Sequence, residues 1–106
     1  AQLSEQVAVC QSAFEKGALK DAIIACDRVL KESPNNETAL ANKNNAFSQL
    51  KREMKNIYED SSLEESMGNI ELAKEKWQKI LDTSVPEDDY YKKAKQKLKK
   101  YGIGMW

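Results

Sequence analysis

Two stretches of the sequence, 51 residues apart, carry the same arrangement of glycine, alanine and apolar residues. Each begins with a glycine, continues with an apolar residue and then an alanine, and ends in an apolar pair that a proline follows. The shared residues are Gly17, Leu19, Ala22 and Val29-Leu30 in the first stretch, and Gly68, Ile70, Ala73 and Ile80-Leu81 in the second. Glycine permits a tight turn between antiparallel helices, and alanine lets two helices approach closely. The pattern therefore predicts two helical hairpins.

Apolar residues elsewhere in the chain also recur every three or four positions, which is the spacing of one face of an α-helix. Glycine or proline interrupts the helical segments at Gly17, Ser33-Pro34, Gly68-Asn69 and Val85-Pro86. One alternative for the long central segment is a break near Ser61, where a serine can cap a new helix. We expect a single all-α domain over 1–106 with about five helices: a hairpin over 3–33, a long central helix over 37–67, a helix over 70–83 and a C-terminal capping helix over 87–101.

Residues that usually carry catalysis or bind metals are scarce in this chain. It contains no histidine, the commonest general base and metal ligand in proteins. It also has no glycine-rich phosphate loop, Cys-x-x-Cys pair or EF-hand loop. The carboxylate pairs Glu64-Glu65 and Asp88-Asp89 are adjacent, so their side chains point about 100° apart on a helix and are poor acid–base partners. We expect no enzymatic activity, catalytic residue, metal, cofactor or small-molecule substrate.

The sequence around Gly17, Ala22 and Pro34 resembles the tetratricopeptide repeat (TPR) family. The unit of that family is a helix-turn-helix of about 34 residues with glycine at the turn, alanine early in the second helix and proline at its end. Because the two glycines lie about one and a half units apart, the resemblance implies that the 37–67 segment serves as the first helix of both hairpins. It implies an all-α fold of TPR-like antiparallel hairpins. The repeat signature consists of Gly17, Ala22, Pro34, Gly68, Ala73 and Trp77.

The family resemblance also implies a function, which is non-catalytic protein–protein recognition by the first helices of successive repeats. Asparagine side chains offer hydrogen-bond donors and acceptors, so a face rich in them suits an extended peptide backbone. The alternative interpretation is ordinary solvated polarity. We expect a scaffold or assembly module whose protein or peptide partner binds a surface made of Val7, Gln11, Phe14, Asn42, Asn45, Ser48 and Gln49.

Two other functions compete with this expectation. The first is a structural homodimer in which the long helix exposes apolar residues such as Met54 and Ile57 for a second chain to cover. The second is nucleic-acid binding by the lysine-rich C-terminal helix, with bases stacked on nearby aromatic residues. Overall neutrality, with 17 basic and 17 acidic residues, disfavours nucleic acid because phosphate binding depends on attraction by positive charge. The aromatic residues in question are Tyr90, Tyr91, Tyr101 and Trp106.

The sequence also bears on location. The longest apolar run, residues 22–26, is far shorter than the roughly twenty residues that cross a bilayer, so we expect no direct membrane insertion. No secretory signal is visible, and the absence of an initiator Met suggests a fragment of a larger protein, whose attachment to a membrane stays open. Cys10 and Cys26 lie in apolar helical contexts, which predicts buried thiols in a reducing compartment and hence a cytoplasmic location. A disulfide between them stays open as the alternative.

Overall fold

A computed structural model describes residues 2–102 of the chain, and the side chains of residues 3–102. This part of the chain contains five α-helices and no strand. The result confirms the predicted all-α class and the predicted number of helices. The helices are α1 (Gln2–Glu15), α2 (Leu19–Glu32), α3 (Glu37–Ser66), α4 (Ile70–Thr83) and α5 (Asp89–Lys100).

The long helix α3 runs for 30 residues without the break that the sequence left open near Ser61. Ser61 is buried, and its hydroxyl donates to the backbone carbonyl of Tyr58 at 2.6 Å. A serine that bonds back to the preceding turn leaves the helix intact, whereas a capping serine would start a new one. At the start of α3 the side-chain oxygen of Asn36 accepts from the backbone N–H of Ala39 at 2.9 Å. This bond caps the helix.

The chain divides into two compact units, one over residues 1–50 and the other over residues 51–106, and the division falls inside α3. In the first unit α1 packs against α2. The turn between them depends on Gly17, whose φ of 77° is the left-handed conformation that glycine adopts without strain. Ala22 is completely buried, as expected for a small residue at a close helix contact. The core of this unit is built from Cys10, Ala25, Cys26, Val29 and Ala39.

The prediction of two buried thiols is wrong. Cys10 and Cys26 are both buried, but their sulfur atoms form a disulfide that joins α1 to α2. Their Cα atoms lie 4.8 Å apart, within the distance that a disulfide spans. Burial in an apolar environment suits a thiol and a disulfide equally, so the apolar context could not distinguish them. The described chain contains no free cysteine.

In the second unit α4 packs against α5, and Trp77 is a central core residue. Its side chain is completely buried and stacks on the ring of Tyr101, with the ring centres 5.6 Å apart. Ala73 is completely buried, as is Ala22 in the first unit. Gly68 has a φ of 83° and forms the second turn that the repeated pattern predicts.

Helix α5 begins two residues later than the predicted capping helix over 87–101. The reason is Asp88, which is buried and acts as the N-cap: its carboxylate accepts from the backbone N–H of Tyr90 at 3.1 Å. The hydroxyl of Ser84 donates to the same carboxylate at 2.6 Å. A residue engaged in this way precedes the helix. Consequently Asp88 and Asp89 belong to different structural elements.

Candidate protein-binding surface

The predicted binding residues of α1 lie on one face of that helix. Val7, Gln11 and Phe14 follow a spacing of four and three, so their side chains share a face. Val7 is half-buried and packs against the edge of the core, and Phe14 is half-buried too. Gln11 is exposed, and its amide donates to the carboxylate of Glu15 at 3.0 Å. The face therefore combines apolar surface with an exposed amide whose N–H group is bonded to Glu15.

The predicted residues of α3 do not all share a face. Asn42 is half-buried, whereas Asn45, Ser48 and Gln49 are exposed. The helical period places Asn42, Asn45 and Gln49 along one side of the buried stripe of α3. Ser48 lies on the side of the helix opposite the buried stripe. The structure therefore does not bring Ser48 together with the other predicted residues.

Two contacts show how the first half of α3 lies against the first hairpin. The amide nitrogen of Asn42 lies 3.9 Å from the Cys10 sulfur on α1. The ammonium of the adjacent Lys43 forms an ion pair with Asp27 on α2. Since neighbouring residues point about 100° apart on a helix, α1 lies on the Asn42 side of α3 and α2 on the other side.

These contacts define a groove between α1 and the first half of α3, which we call the α1–α3 groove. At one end a hollow is lined by Leu3, Ser4, Val7 and Asn36, which places the Val7 face of α1 beside the start of α3. Of the predicted residues, Val7 lines this hollow and Asn42 contacts α1. Gln11 and Phe14 share the Val7 face of α1, and Asn45 and Gln49 lie on the Asn42 side of α3.

The six residues of the repeat signature lie either in turns or in the core. Gly17 and Gly68 form the turns described above, and Pro34 is exposed in the turn between α2 and α3. The other three, Ala22, Ala73 and Trp77, are completely buried. None of these three is accessible to a partner, so their role is in the core.

Sequence reasoning missed a second hollow on α1, on the side away from Val7. It is lined by Glu5, Gln6, Val9, Ala25 and Arg28. Val9 is 58% exposed, which is high for a large apolar side chain. The signal was present in the sequence, because Val9 falls outside the periodic apolar stripe that contains Val7 and Cys10.

The best-defined polar cluster lies in the second unit and joins α3 to α5. One carboxylate oxygen of Glu65 accepts from the Lys97 ammonium at 2.8 Å, and the other accepts from the Tyr101 hydroxyl at 2.6 Å. The hydrogen bond from Lys97, followed by that from Tyr101, lowers the pKa of the Glu65 carboxyl. The hydrogen bond to Glu65 raises the pKa values of Lys97 and Tyr101. These groups stabilise one another, so the cluster has a structural explanation.

The lysines of α5 are partly engaged within the second unit. The Lys93 ammonium lies 5.2 Å from the ring centre of Tyr90, and the Lys100 ammonium lies 5.4 Å from that of Tyr101. Tyr101 also stacks on Trp77, so its ring is already covered on one face. Of the other two aromatic residues of the expected nucleic-acid surface, Tyr91 is half-buried and Trp106 lies outside the described residues.

The apolar residues expected to form a homodimer interface on the long helix are not exposed. Met54 is buried, with 1% of its surface accessible, and Ile57 is half-buried. Both lie on the stripe of α3 that faces the interior. The large apolar residues of α3 that are exposed are instead Leu40 and Leu63, and Met67, directly after α3, is exposed too.

Comparison with protein-family models, with curated proteins and with solved structures finds no match to this chain. Within residues 2–102 no helix combines the length and apolar character needed to cross a membrane. The same part of the chain holds no group of three or more histidine, cysteine or acidic residues placed to bind a metal ion. The chemistry that the α1–α3 groove offers is reversible hydrogen bonding and apolar contact.

Proposed function

We propose that this chain is a non-catalytic protein-binding module, a scaffold of TPR-like helical hairpins that holds an extended peptide segment of a partner protein in the α1–α3 groove. The observation that carries the proposal is the contact between Asn42 and Cys10, because it places α3 beside the α1 face that contains Val7 and Gln11. A preformed groove between helices avoids the entropic cost of ordering a binding site.

The chemistry of the groove supports an extended peptide as its occupant. An extended backbone presents unpaired N–H and C=O groups, and the amides of Gln11, Asn45 and Gln49 can serve both kinds. Val7 and Phe14 supply apolar contact area alongside them. The groove residues carry no charge, so the peptide that suits it is recognised through its backbone and apolar side chains.

A peptide selection tests this function. Peptides enriched from a random displayed library on the immobilised chain are assayed against the wild type and against a Gln11→Ala, Asn45→Ala, Gln49→Ala variant. Each lost hydrogen bond contributes about 0.5–1.5 kcal/mol, so we expect affinity to fall at least about tenfold. The matched control is Gln96→Ala, which removes an exposed amide from α5 and should leave affinity unchanged. Equal binding by the triple variant, or no enrichment over unselected peptides, would contradict the proposal.

The disulfide bears on where this function operates. Structural disulfides persist in oxidising compartments and are rare in the cytoplasm. The expectation of a cytoplasmic location depended on free thiols, and both cysteines are paired. We therefore propose that the module works in an oxidising environment.

A further inference from the structure

The turns of the two hairpins have the same geometry. Around Gly17 three backbone hydrogen bonds close the end of α1 with lengths of 3.0, 3.0 and 3.0 Å, and around Gly68 the corresponding bonds measure 3.1, 3.0 and 2.9 Å. The φ angles of the two glycines differ by only a few degrees, at 77° and 83°. Residues 51 positions apart near these turns therefore occupy equivalent places on the surface of each hairpin.

At one set of equivalent positions the side chains are polar or charged in the first hairpin and apolar in the second. In the first hairpin Ser12, Lys16 and Asp21 line one shallow hollow. Their counterparts in the second hairpin are Leu63, Met67 and Leu72, which are 58%, 55% and 47% exposed. The equivalence places these three large apolar side chains on a single face, which we call the Leu63 patch.

Acidic side chains border the Leu63 patch. The positions equivalent to Ala8, Val9 and Ala13 of the first hollow are Glu59, Asp60 and Glu64. Glu59 and Asp60 are exposed, and neither forms an ion pair with another described residue. Among the counterparts of the residues that line the first hollow there is no cation. The patch is therefore apolar at its centre and negative at its border.

We infer that the Leu63 patch is a second binding surface, and that its occupant is a basic amphipathic helix of a partner protein. Leucine and methionine in an open face receive the apolar side of such a helix, as in other helix-in-groove complexes, and methionine adapts to irregular side chains. Lysine or arginine at the edge of the helix then faces Glu59 and Asp60. The negative border repels an anionic membrane surface.

The lysine-rich α5 of a second copy does not fit this description. The exposed residues of α5 are charged or polar, and its buried residues, Ala94 and Leu98, face the core. It supplies the positive charge without the apolar side chains that the patch requires. Met67, directly after α3, lies one turn beyond Leu63, so a helix that pairs with them must present apolar residues at a similar spacing.

A designed peptide tests the inference. The probe is a fluorescent peptide of leucine and lysine, with leucine at helical spacing on one face, and binding is measured by anisotropy at two salt concentrations. The decisive variant is Leu63→Ser, Met67→Lys, Leu72→Asp, which copies the equivalent surface of the first hairpin. We expect at least a tenfold loss of affinity, and a smaller, salt-sensitive loss for Glu59→Lys, Asp60→Lys. Val9→Ser removes an equally exposed apolar residue and should change nothing.

Several outcomes would overturn the inference. The first is wild-type affinity in the triple variant Leu63→Ser, Met67→Lys, Leu72→Asp. The second is equal binding of a scrambled peptide of the same composition. The third is undiminished binding of the basic peptide to the double variant Glu59→Lys, Asp60→Lys. Self-association of the wild type that the first variant abolishes would assign the patch to a second copy instead. The α1–α3 groove variant should bind the basic peptide like the wild type, so failure of this inference and failure of the proposed function are distinguishable.

Discussion

Gly17 and Gly68 have φ angles of 77° and 83°, a region that costs residues with a side chain about 1–2 kcal/mol. Nothing lies within 4 Å of a Cβ added at either position, so a substitution meets conformational strain without a clash. We expect Gly17→Ala and Gly68→Ala each to lower the free energy of unfolding by about 1 kcal/mol.

Asparagine at the same positions provides the comparison, because it tolerates the left-handed region better than alanine. Gly17→Asn should therefore retain more stability than Gly17→Ala when both are unfolded in urea. Equal losses for the two substitutions, or no loss for alanine, would show that the turn does not depend on the conformation of this residue.

Glu65 provides a pH-dependent prediction. Its folded-state pKa is lowered by Lys97 and Tyr101, so its contribution to stability is present above the unfolded value of about 4.3 and is lost as pH falls through the folded-state pKa. Glu65→Gln should be less stable than the wild type by about 1 kcal/mol at neutral pH. The two stability curves should converge in acid.

Denaturant unfolding at a series of pH values measures this convergence. The control is Glu59→Gln, which removes an exposed carboxylate that has no ion-pair partner in the described structure. The free energy of unfolding of Glu59→Gln should follow the same pH dependence as that of the wild type. If the free energies of unfolding of Glu65→Gln and the wild type differed by the same amount at every pH, ionisation of the Glu65 carboxyl would make no contribution to stability.

Residue-scale prediction from the sequence succeeded where one physical requirement selects one residue type. Glycine at a left-handed turn and alanine at a close helix contact are such cases, and Gly17 and Ala22 are where the pattern placed them. The pairing of Cys10 with Cys26 is different. It depends on the rotation of two helices about their axes, which the spacing of apolar residues specifies only coarsely.

At the scale of elements, the disulfide joins α1 to α2 and closes a loop with a sequence separation of 16 residues. Closing a loop of this size restricts the unfolded chain and stabilises the fold by about 3 kcal/mol. We expect Cys10→Ala, Cys26→Ala to lose about that amount in denaturant unfolding. Wild-type protein unfolded with excess reductant should show a similar loss.

A thiol titration of the denatured wild type, without reductant, checks the premise. It should detect no reactive thiol within residues 2–102, whereas two thiols per chain would show that the bond does not form. If the bond is present but the double variant is as stable as the wild type, the disulfide would make no net contribution to the stability of the α1–α2 hairpin.

The boundaries of the helices show the limits of prediction at this scale. The continuity of α3 followed from the absence of glycine and proline between residues 37 and 66. The start of α5 did not follow, because Glu87, Asp88 and Asp89 all suit a first turn equally well. Only the tertiary environment, in which Asp88 is buried with Ser84, selects it as the cap.

For the molecule as a whole, the binding residues on α1 and α3 were placed by analogy with the repeat family, and their part in binding stays a prediction. Ser48 was included by the same analogy, and it lies on the side of α3 opposite the buried stripe. The Leu63 patch was missed. The patch becomes apparent only when the two turns are known to be equivalent, since Leu63 and Met67 otherwise pass for core residues.

Amide chemical-shift mapping by NMR, with a peptide from the library selection titrated into the labelled chain, locates the bound peptide residue by residue. We expect saturable shifts concentrated at Gln11, Asn45 and Gln49, with α5 unaffected. The basic leucine–lysine peptide should instead shift residues around Leu63. Shifts confined to α5, or spread evenly over the described residues, would contradict a binding groove between α1 and α3.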